Sequence, residues 1–157
     1  MKRWLGLTAV VGFLGMSSPS LYGVTNLEID GCWVRQTPPG AKVTAAYCQI
    51  TNKTKVSRTL KTVKTAAAGK VELHETKLQG DRMQMKPVLE MPIAAGETLQ
   101  MAPGGLHIML FELTGELGKA AQFTLVFDRG EERTVTFPVR KEAPERQISG
   151  HQTAPKG

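Results

Sequence analysis

The chain has 157 residues, with 20 basic and 14 acidic side chains, a formal net charge of +6 and two cysteines. This length predicts one principal domain. The basic residues form no single cluster, which argues against a nucleic-acid-binding protein. Only three histidines are present, and no Ser-His-Asp or Cys-His arrangement is recognisable, so we do not expect an enzyme.

Residues 1–23 have the pattern of a secretory signal peptide. Lys2 and Arg3 precede the apolar stretch 4–16, which is shorter than the about 20 residues needed to span a bilayer. The small and polar segment SSPSLYG follows, as is typical before a cleavage site. An uncleaved membrane anchor is the alternative. Removal of this segment lowers the net charge to +4, because it carries two basic and no acidic residues.

Short strand-like runs separated by turn signals predict one β domain over residues 24–140. Alternation is clear where Phe123, Leu125 and Phe127 share one face, and no stretch beyond the signal peptide keeps a helical period. Without crossover helices, such a pattern predicts an all-β antiparallel sandwich or barrel. The polar tail 141–157 is predicted to be disordered. The predicted strands are roughly 27–36, 43–51, 56–66, 70–78, 82–90, 97–102, 106–113, 121–128 and 132–140.

Cys32 and Cys48 are placed symmetrically about residue 40, which lies within half a residue of the centre of PPGA at 38–41. A hairpin centred on this turn would bring the two thiols together, and export would permit their oxidation. We therefore predict a disulfide, with two buried free thiols as the alternative. A lipid anchor on Cys32 is not expected, because this cysteine lies too far beyond the apolar stretch.

The central third of the chain is rich in methionine. Methionine often fills irregular cores, so packing is one explanation of the cluster. On a strand, however, His107 and Met109 would project from one face while Ile108 and Leu110 face the core. Five methionines lie within 27 residues, with two histidines beside or among them: Met83, Met85, Met91, Met101 and Met109, with His74 and His107.

A second His–Met pair is predicted on a hairpin. If Gln79-Gly80 is its two-residue loop, His74 lies directly opposite Met85. Thioether sulfur is soft and suits Cu(I), whereas zinc prefers thiolate, imidazole or carboxylate, and calcium and magnesium require oxygen. Neither cysteine is placed for a blue-copper centre. The two pairs together predict a Cu(I) site formed by His74, Met85, His107 and Met109.

The spacing of these residues resembles the signature of the PCuAC family of periplasmic copper chaperones. That signature is a His, ten residues, a Met, twenty-one residues and His-x-Met, which His74, Met85, His107 and Met109 match. The resemblance to the family extends to the flanking segments, so it covers roughly residues 25–139. These segments are VELHE, MKPV, PGGLHIMLFEL and WVRQTPPGAKVTAAYCQITN. Many members carry a second Met where this chain has Glu75. Some also have a His- and Met-rich tail, whereas the tail here has only His151 and no Met.

The resemblance implies a cupredoxin-like Greek-key β-sandwich that binds Cu(I) through the four residues of the motif. It implies a periplasmic chaperone that passes copper to another periplasmic protein, such as the binuclear copper centre of cytochrome oxidase or a second chaperone. We expect the protein to be a monomer. A carrier must release its metal, so we expect the ligands at one edge of the sandwich. The alternative is a secreted structural or adhesive β-sandwich whose methionines only pack and bind no metal.

Overall fold

A computed structural model describes residues 26–144. The predicted signal peptide (1–23) and residues 145–157 of the predicted disordered tail lie outside the described residues. A 3₁₀ turn, Asp128–Gly130, joins the last two strands. No helix within residues 26–144 is long and apolar enough to cross a membrane. The described residues form ten strands: β1 (Leu27–Arg35), β2 (Val43–Asn52), β3 (Arg58–Lys64), β4 (Ala68–Gln79), β5 (Arg82–Val88), β6 (Met91–Ile93), β7 (Thr98–Gln100), β8 (Leu106–Leu113), β9 (Ala120–Phe127) and β10 (Glu132–Arg140).

The strands pair in the order β5-β4-β8-β2-β1-β10-β9-β3-β6, with β7 added to β2. The pairing of β1 with β10 is parallel, and the other pairings are antiparallel. The prediction of an all-β sandwich is confirmed. All nine predicted strands are present, and the short β6 is an additional strand between the predicted strands 82–90 and 97–102.

The hydrophobic core combines residues from the two halves of this strand order. Ile50, Leu73 and Ile108 contribute from the half that begins with β5, and Leu60 and Phe123 from the half that ends with β6. Each fully buried side chain of this kind stabilises the fold by about 1.5–3 kcal/mol. Because side chains alternate along a strand, the neighbours of Leu73 and Ile108 project from the opposite face. We call this the outer face of β5, β4, β8, β2 and β1.

The two cysteines are adjacent, but they are free thiols, so the predicted disulfide is not present. The register between β1 and β2 shifts between Asp30 and Trp33, and Cys32 lies in this irregular segment. Cys48 is fully buried. A hydrogen bond with Cys32 and burial both raise the pKa of the Cys48 thiol well above its usual value. Cys48 lies in the core and the partly buried Cys32 packs against it, so the alternative of two free thiols holds, with only Cys48 fully buried.

Candidate metal site

The hairpin of β4 and β5 turns one residue later than predicted. Gln79 pairs with Arg82, so the loop is Gly80-Asp81 and not Gln79-Gly80. Gly80 has a φ of 62° and is the first residue of the loop, which is the position that a type II′ turn gives to glycine. The first loop position requires a positive φ, which glycine adopts without steric cost. The turn therefore begins at Gly80 and not at Gln79.

The later turn changes the partner of His74 without changing the face on which it lies. His74 pairs with Pro87, and Met85 pairs with Thr76, so the predicted direct opposition of His74 and Met85 is wrong. Because the turn moves by one residue, each cross-strand partner changes by two residues, and every side chain keeps its face. His74 and Met85 therefore remain on the outer face as diagonal neighbours, which lie about 7–8 Å apart in such an arrangement.

Strand β8 supplies the second His–Met pair beside the first. His74 lies directly opposite His107, and Glu72 lies opposite Met109. The centroids of the two imidazole rings are 5.7 Å apart. The fold thus brings His74, Met85, His107 and Met109 to one region of the outer face, on the neighbouring strands β5, β4 and β8. Their role as ligands stays a prediction.

The two imidazoles and the two thioethers differ in their exposure. His74 and His107 are only 7% and 4% exposed, whereas Met85 is 51% exposed. Met85, His107 and Met109 line one open cleft of about 440 Å³. Met85 lies on β5, which ends the strand order and is an edge strand. The region therefore has two buried imidazoles, a partly exposed Met109 and a half-exposed Met85.

Aromatic rings surround the histidines on the outer face. Trp33 stacks on Tyr47 with their centroids 4.6 Å apart, and the centroid of Tyr47 lies 6.3 Å from that of His107. On the other side, the ring of Phe111 lies 6.0 Å from His74. Burial raises the pKa of Tyr47, against a smaller lowering by Arg35. These rings were not predicted, although the hairpin register that paired the cysteines also places Trp33 opposite Tyr47.

The tautomer of His107 follows from a turn that precedes β8. Pro103 and Gly104, the latter with a φ of 84°, form a turn closed by the bond from the Gly105 amide to the Ala102 carbonyl. The Nδ1–H of His107 donates to the Gly105 carbonyl over 3.0 Å, because a carbonyl oxygen can only accept. Burial lowers the pKa of His107, so its ring is neutral at pH 7 with the lone pair on Nε2.

His74 presents the opposite nitrogen. Its Nε2–H donates to the carboxylate of Glu72 over 2.8 Å, which leaves the lone pair on Nδ1. This Nδ1 is buried and has no hydrogen-bond partner. Leaving a buried polar atom unpaired costs about 1–3 kcal/mol. A buried nitrogen lone pair beside a second imidazole and two thioethers fits a metal ligand.

The available donors select a soft metal. Within residues 26–144, no group of three His, Cys, Asp or Glu side chains could hold a metal ion. The outer face adds the thioethers of Met85 and Met109 beside the two imidazoles. Two neutral imidazoles and two neutral thioethers suit Cu(I) better than zinc, calcium or magnesium. The donor set therefore fits the metal that the sequence predicted.

The remaining methionines divide into two kinds. Met91 and Met101 are buried in the core, so packing explains them. Met83 is 59% exposed and projects from the outer face two residues beyond Met85, towards the hairpin loop. Glu75, which stands where many PCuAC proteins carry a Met, lies on the other face and forms an ion pair with Lys77 over 2.9 Å.

Comparisons with known proteins identify the relatives of this chain. The family described as "Putative lipoprotein LpqE-like" matches residues 27–139. The protein "Putative lipoprotein Lxx21020" of Leifsonia xyli subsp. xyli is 32% identical over 117 residues, which are 73% of this chain and 69% of that protein.

Two solved structures are similar in fold. The copper-bound PCuAC domain of PmoF2 has a TM-score of 0.62 and 27% identity, over 78% of this chain and 97% of that domain. The solution structure of CuI-DR1885 from Deinococcus radiodurans has a TM-score of 0.53 and 32% identity, over 71% of this chain and 76% of that one. These matches support the resemblance to PCuAC proteins that the sequence indicated. The chain belongs to the LpqE-like family, and its β-sandwich has the fold of the PCuAC domains.

Proposed function

We propose that this protein is a copper chaperone that binds one Cu(I) ion through His74, Met85, His107 and Met109. The observation that carries the proposal is the buried, unpartnered Nδ1 of His74, on a face that also holds His107 and two thioethers. The copper-bound PmoF2 domain and CuI-DR1885, which share the fold, support copper as the metal.

The neutral ligand set favours the reduced ion. Thioethers add no negative charge, and with two neutral imidazoles the complex keeps the single charge of Cu(I), which suits a partly buried region. Four protein ligands leave no open position for a substrate. This chemistry supports a carrier and not a redox enzyme.

The exposure of the ligands suggests how the ion is transferred. Met85 lies on an edge strand and is half exposed, so a ligand of an acceptor protein can approach the ion from this side. The bond to the Met85 sulfur is then the first to be exchanged, while the two buried imidazoles still hold the ion. We propose that the acceptor is an extracytoplasmic copper protein, such as the binuclear centre of cytochrome oxidase or another chaperone.

The proposed location is the periplasm, which the predicted signal peptide supports. The lipoprotein names of the family and of the relative also indicate a place outside the cytoplasm. We do not extend the lipid anchor to Cys32. A chain that began at this cysteine would lose the residues of β1 from Leu27 to Asp30, which pair with β2.

Anaerobic titration with Cu(I) against a chromophoric competitor tests the proposal. We expect uptake of one ion per chain, and a large loss of affinity in His107→Ala with the β-sheet circular dichroism unchanged. The absence of stoichiometric uptake would instead support the structural or adhesive β-sandwich whose methionines only pack.

A further inference from the structure

We propose that Glu72 is a positioning residue that holds the ring of His74 so that Nδ1 is its copper-binding nitrogen. This inference rests on the proposed function. Glu72 precedes His74 by two residues on β4, so both side chains project from the outer face. One oxygen of Glu72, Oε2, accepts the Nε2–H of His74 over 2.8 Å. The other ring nitrogen is the buried atom without a partner.

The carboxylate of Glu72 is itself anchored. Its second oxygen, Oε1, forms an ion pair with the ammonium of Lys70 over 2.7 Å. That ammonium lies 5.5 Å from the centroid of Phe111, and the ring of Phe111 packs 6.0 Å from His74. These contacts thus form a ring on β4 and β8, in which each side chain touches the next: Lys70, Glu72, His74 and Phe111. Because each Glu72 oxygen has a partner, the carboxylate is held in place and can fix the orientation of the His74 ring.

The hydrogen bond that Glu72 accepts decides which nitrogen of His74 carries the proton. Glu72 accepts from Lys70 on Oε1 and from His74 on Oε2, which is the bonding expected of a carboxylate. A carboxylate only accepts hydrogen bonds, which places the ring proton on Nε2 and the lone pair on Nδ1. Carboxylates that orient metal-binding histidines in this way also increase the basicity of the ligand.

The consequence is an asymmetric pair of histidines. The Gly105 carbonyl holds the proton of His107 on Nδ1, so His107 offers Nε2. Glu72 holds the proton of His74 on Nε2, so His74 offers Nδ1. The two histidines lie directly opposite each other on neighbouring strands, and each would hold the ion through a different ring nitrogen.

Long-range ¹H–¹⁵N spectra of the imidazoles in the metal-free protein test the tautomers directly. We expect the wild-type protein to show His74 protonated at Nε2 and His107 protonated at Nδ1. Glu72→Ala should abolish the preference of His74 and leave that of His107 unchanged. Protonation of His74 at Nδ1 in the wild-type protein would overturn the inference.

Competition titrations with Cu(I) alone provide the second measurement. Glu72→Ala should weaken Cu(I) binding by about 10- to 100-fold, the range found when such supporting groups are removed. Glu72→Gln keeps a side-chain oxygen that can accept from Nε2–H, so it should restore the tautomer and most of the affinity. Glu75→Ala is the matched control, because this carboxylate also neighbours His74 in sequence but lies on the other face.

The outcomes separate the inference from the proposed function. Wild-type affinity in Glu72→Ala would overturn the positioning role. Equal losses in Glu72→Gln and Glu72→Ala, with the tautomer kept in Glu72→Gln, would overturn it too, by showing that the charge itself or direct ligation matters. If the wild-type protein binds no Cu(I), the proposed function fails, whereas the tautomers of the metal-free protein still report what Glu72 does.

Discussion

His74 and His107 lie directly opposite each other on β4 and β8, with ring centroids 5.7 Å apart, yet their hydrogen bonds engage different nitrogens. The ring of His107 is fixed by the backbone carbonyl of Gly105, which lies just before β8. The ring of His74 is fixed by the side chain of Glu72. Two chemically identical residues in one strand pair are thus held by different hydrogen bonds, which leave a different ring nitrogen of each histidine without a proton.

Met85→Leu should weaken Cu(I) binding more than Met83→Leu. Both side chains are exposed on the outer face of β5, but only Met85 shares the cleft with His107 and Met109. We expect Met85→Leu to lower the affinity by roughly tenfold or more, which is about 1.4 kcal/mol or more, and Met83→Leu to have little effect. Competition titration measures both values, and equal losses would show that Met83 is a ligand as well.

Peroxide should oxidise the methionines in the order of their exposure. In the metal-free protein, Met83 and Met85 should form sulfoxides before the buried Met91 and Met101, because access controls the reaction. Mass spectrometry of proteolytic peptides gives the order. Uptake of Cu(I) should fall in proportion to the oxidation of Met85, and protein oxidised only at Met83 should keep its affinity. Uniform oxidation of all four would contradict the burial described for the core.

Transfer of Cu(I) to a metal-free acceptor should depend on the concentration of the acceptor. The half-exposed Met85 allows an incoming ligand to bind before the protein ligands have left. Stopped-flow mixing of loaded protein with increasing amounts of acceptor measures the rate. A rate that does not change with acceptor concentration would mean that release into solution comes first, and the protein would then act as a store of copper.

Acid should destabilise the second half of the sandwich through Arg58. This buried guanidinium donates to Asp128 and Glu131, each over 2.8 Å. Burial is the largest single influence and would raise the pKa values of the two carboxyls. The hydrogen bonds and charge of Arg58, together with the Thr59 amide on Asp128 and Arg133 on Glu131, outweigh burial and lower these pKa values. A carboxyl with a lowered folded-state pKa contributes stability above its unfolded pKa of about 4. That stability is lost as the pH falls through the lowered folded value.

Arg58→Met should therefore reduce the free energy of unfolding at pH 7 by about 1–3 kcal/mol and flatten its decline between about pH 4.5 and pH 2. Urea unfolding across this pH range measures both effects. Lys64→Met is the control, because the ion pair of Lys64 with Glu132 is largely exposed and such pairs contribute about 0–1 kcal/mol. An unchanged pH profile in Arg58→Met would show that other carboxyls dominate the acid response.

Local patterns in the sequence accounted for most of the strands and for the face on which each candidate ligand lies. Alternation is a property of any extended chain, so Leu73 and Ile108 could be assigned to the core, and His74, His107 and Met109 to the opposite face. The same rule holds for Glu72, which stands two residues before His74 and could have been recognised. The spacing of the His and Met residues also sufficed to indicate the family and the metal.

Pairing partners and burial depended on the tertiary structure. The turn at Gly80 moved the hairpin by one residue, because the backbone conformation at the first loop position outweighed the predicted register. The irregular segment that contains Cys32 likewise depends on how β1 and β2 shift against each other. The sequence by itself determined which side chains share the outer face, since alternation is local. Only the tertiary structure decided that β8 lies between β4 and β2 and that the Nδ1 of His74 is buried without a partner, because both result from contacts between residues distant in the chain.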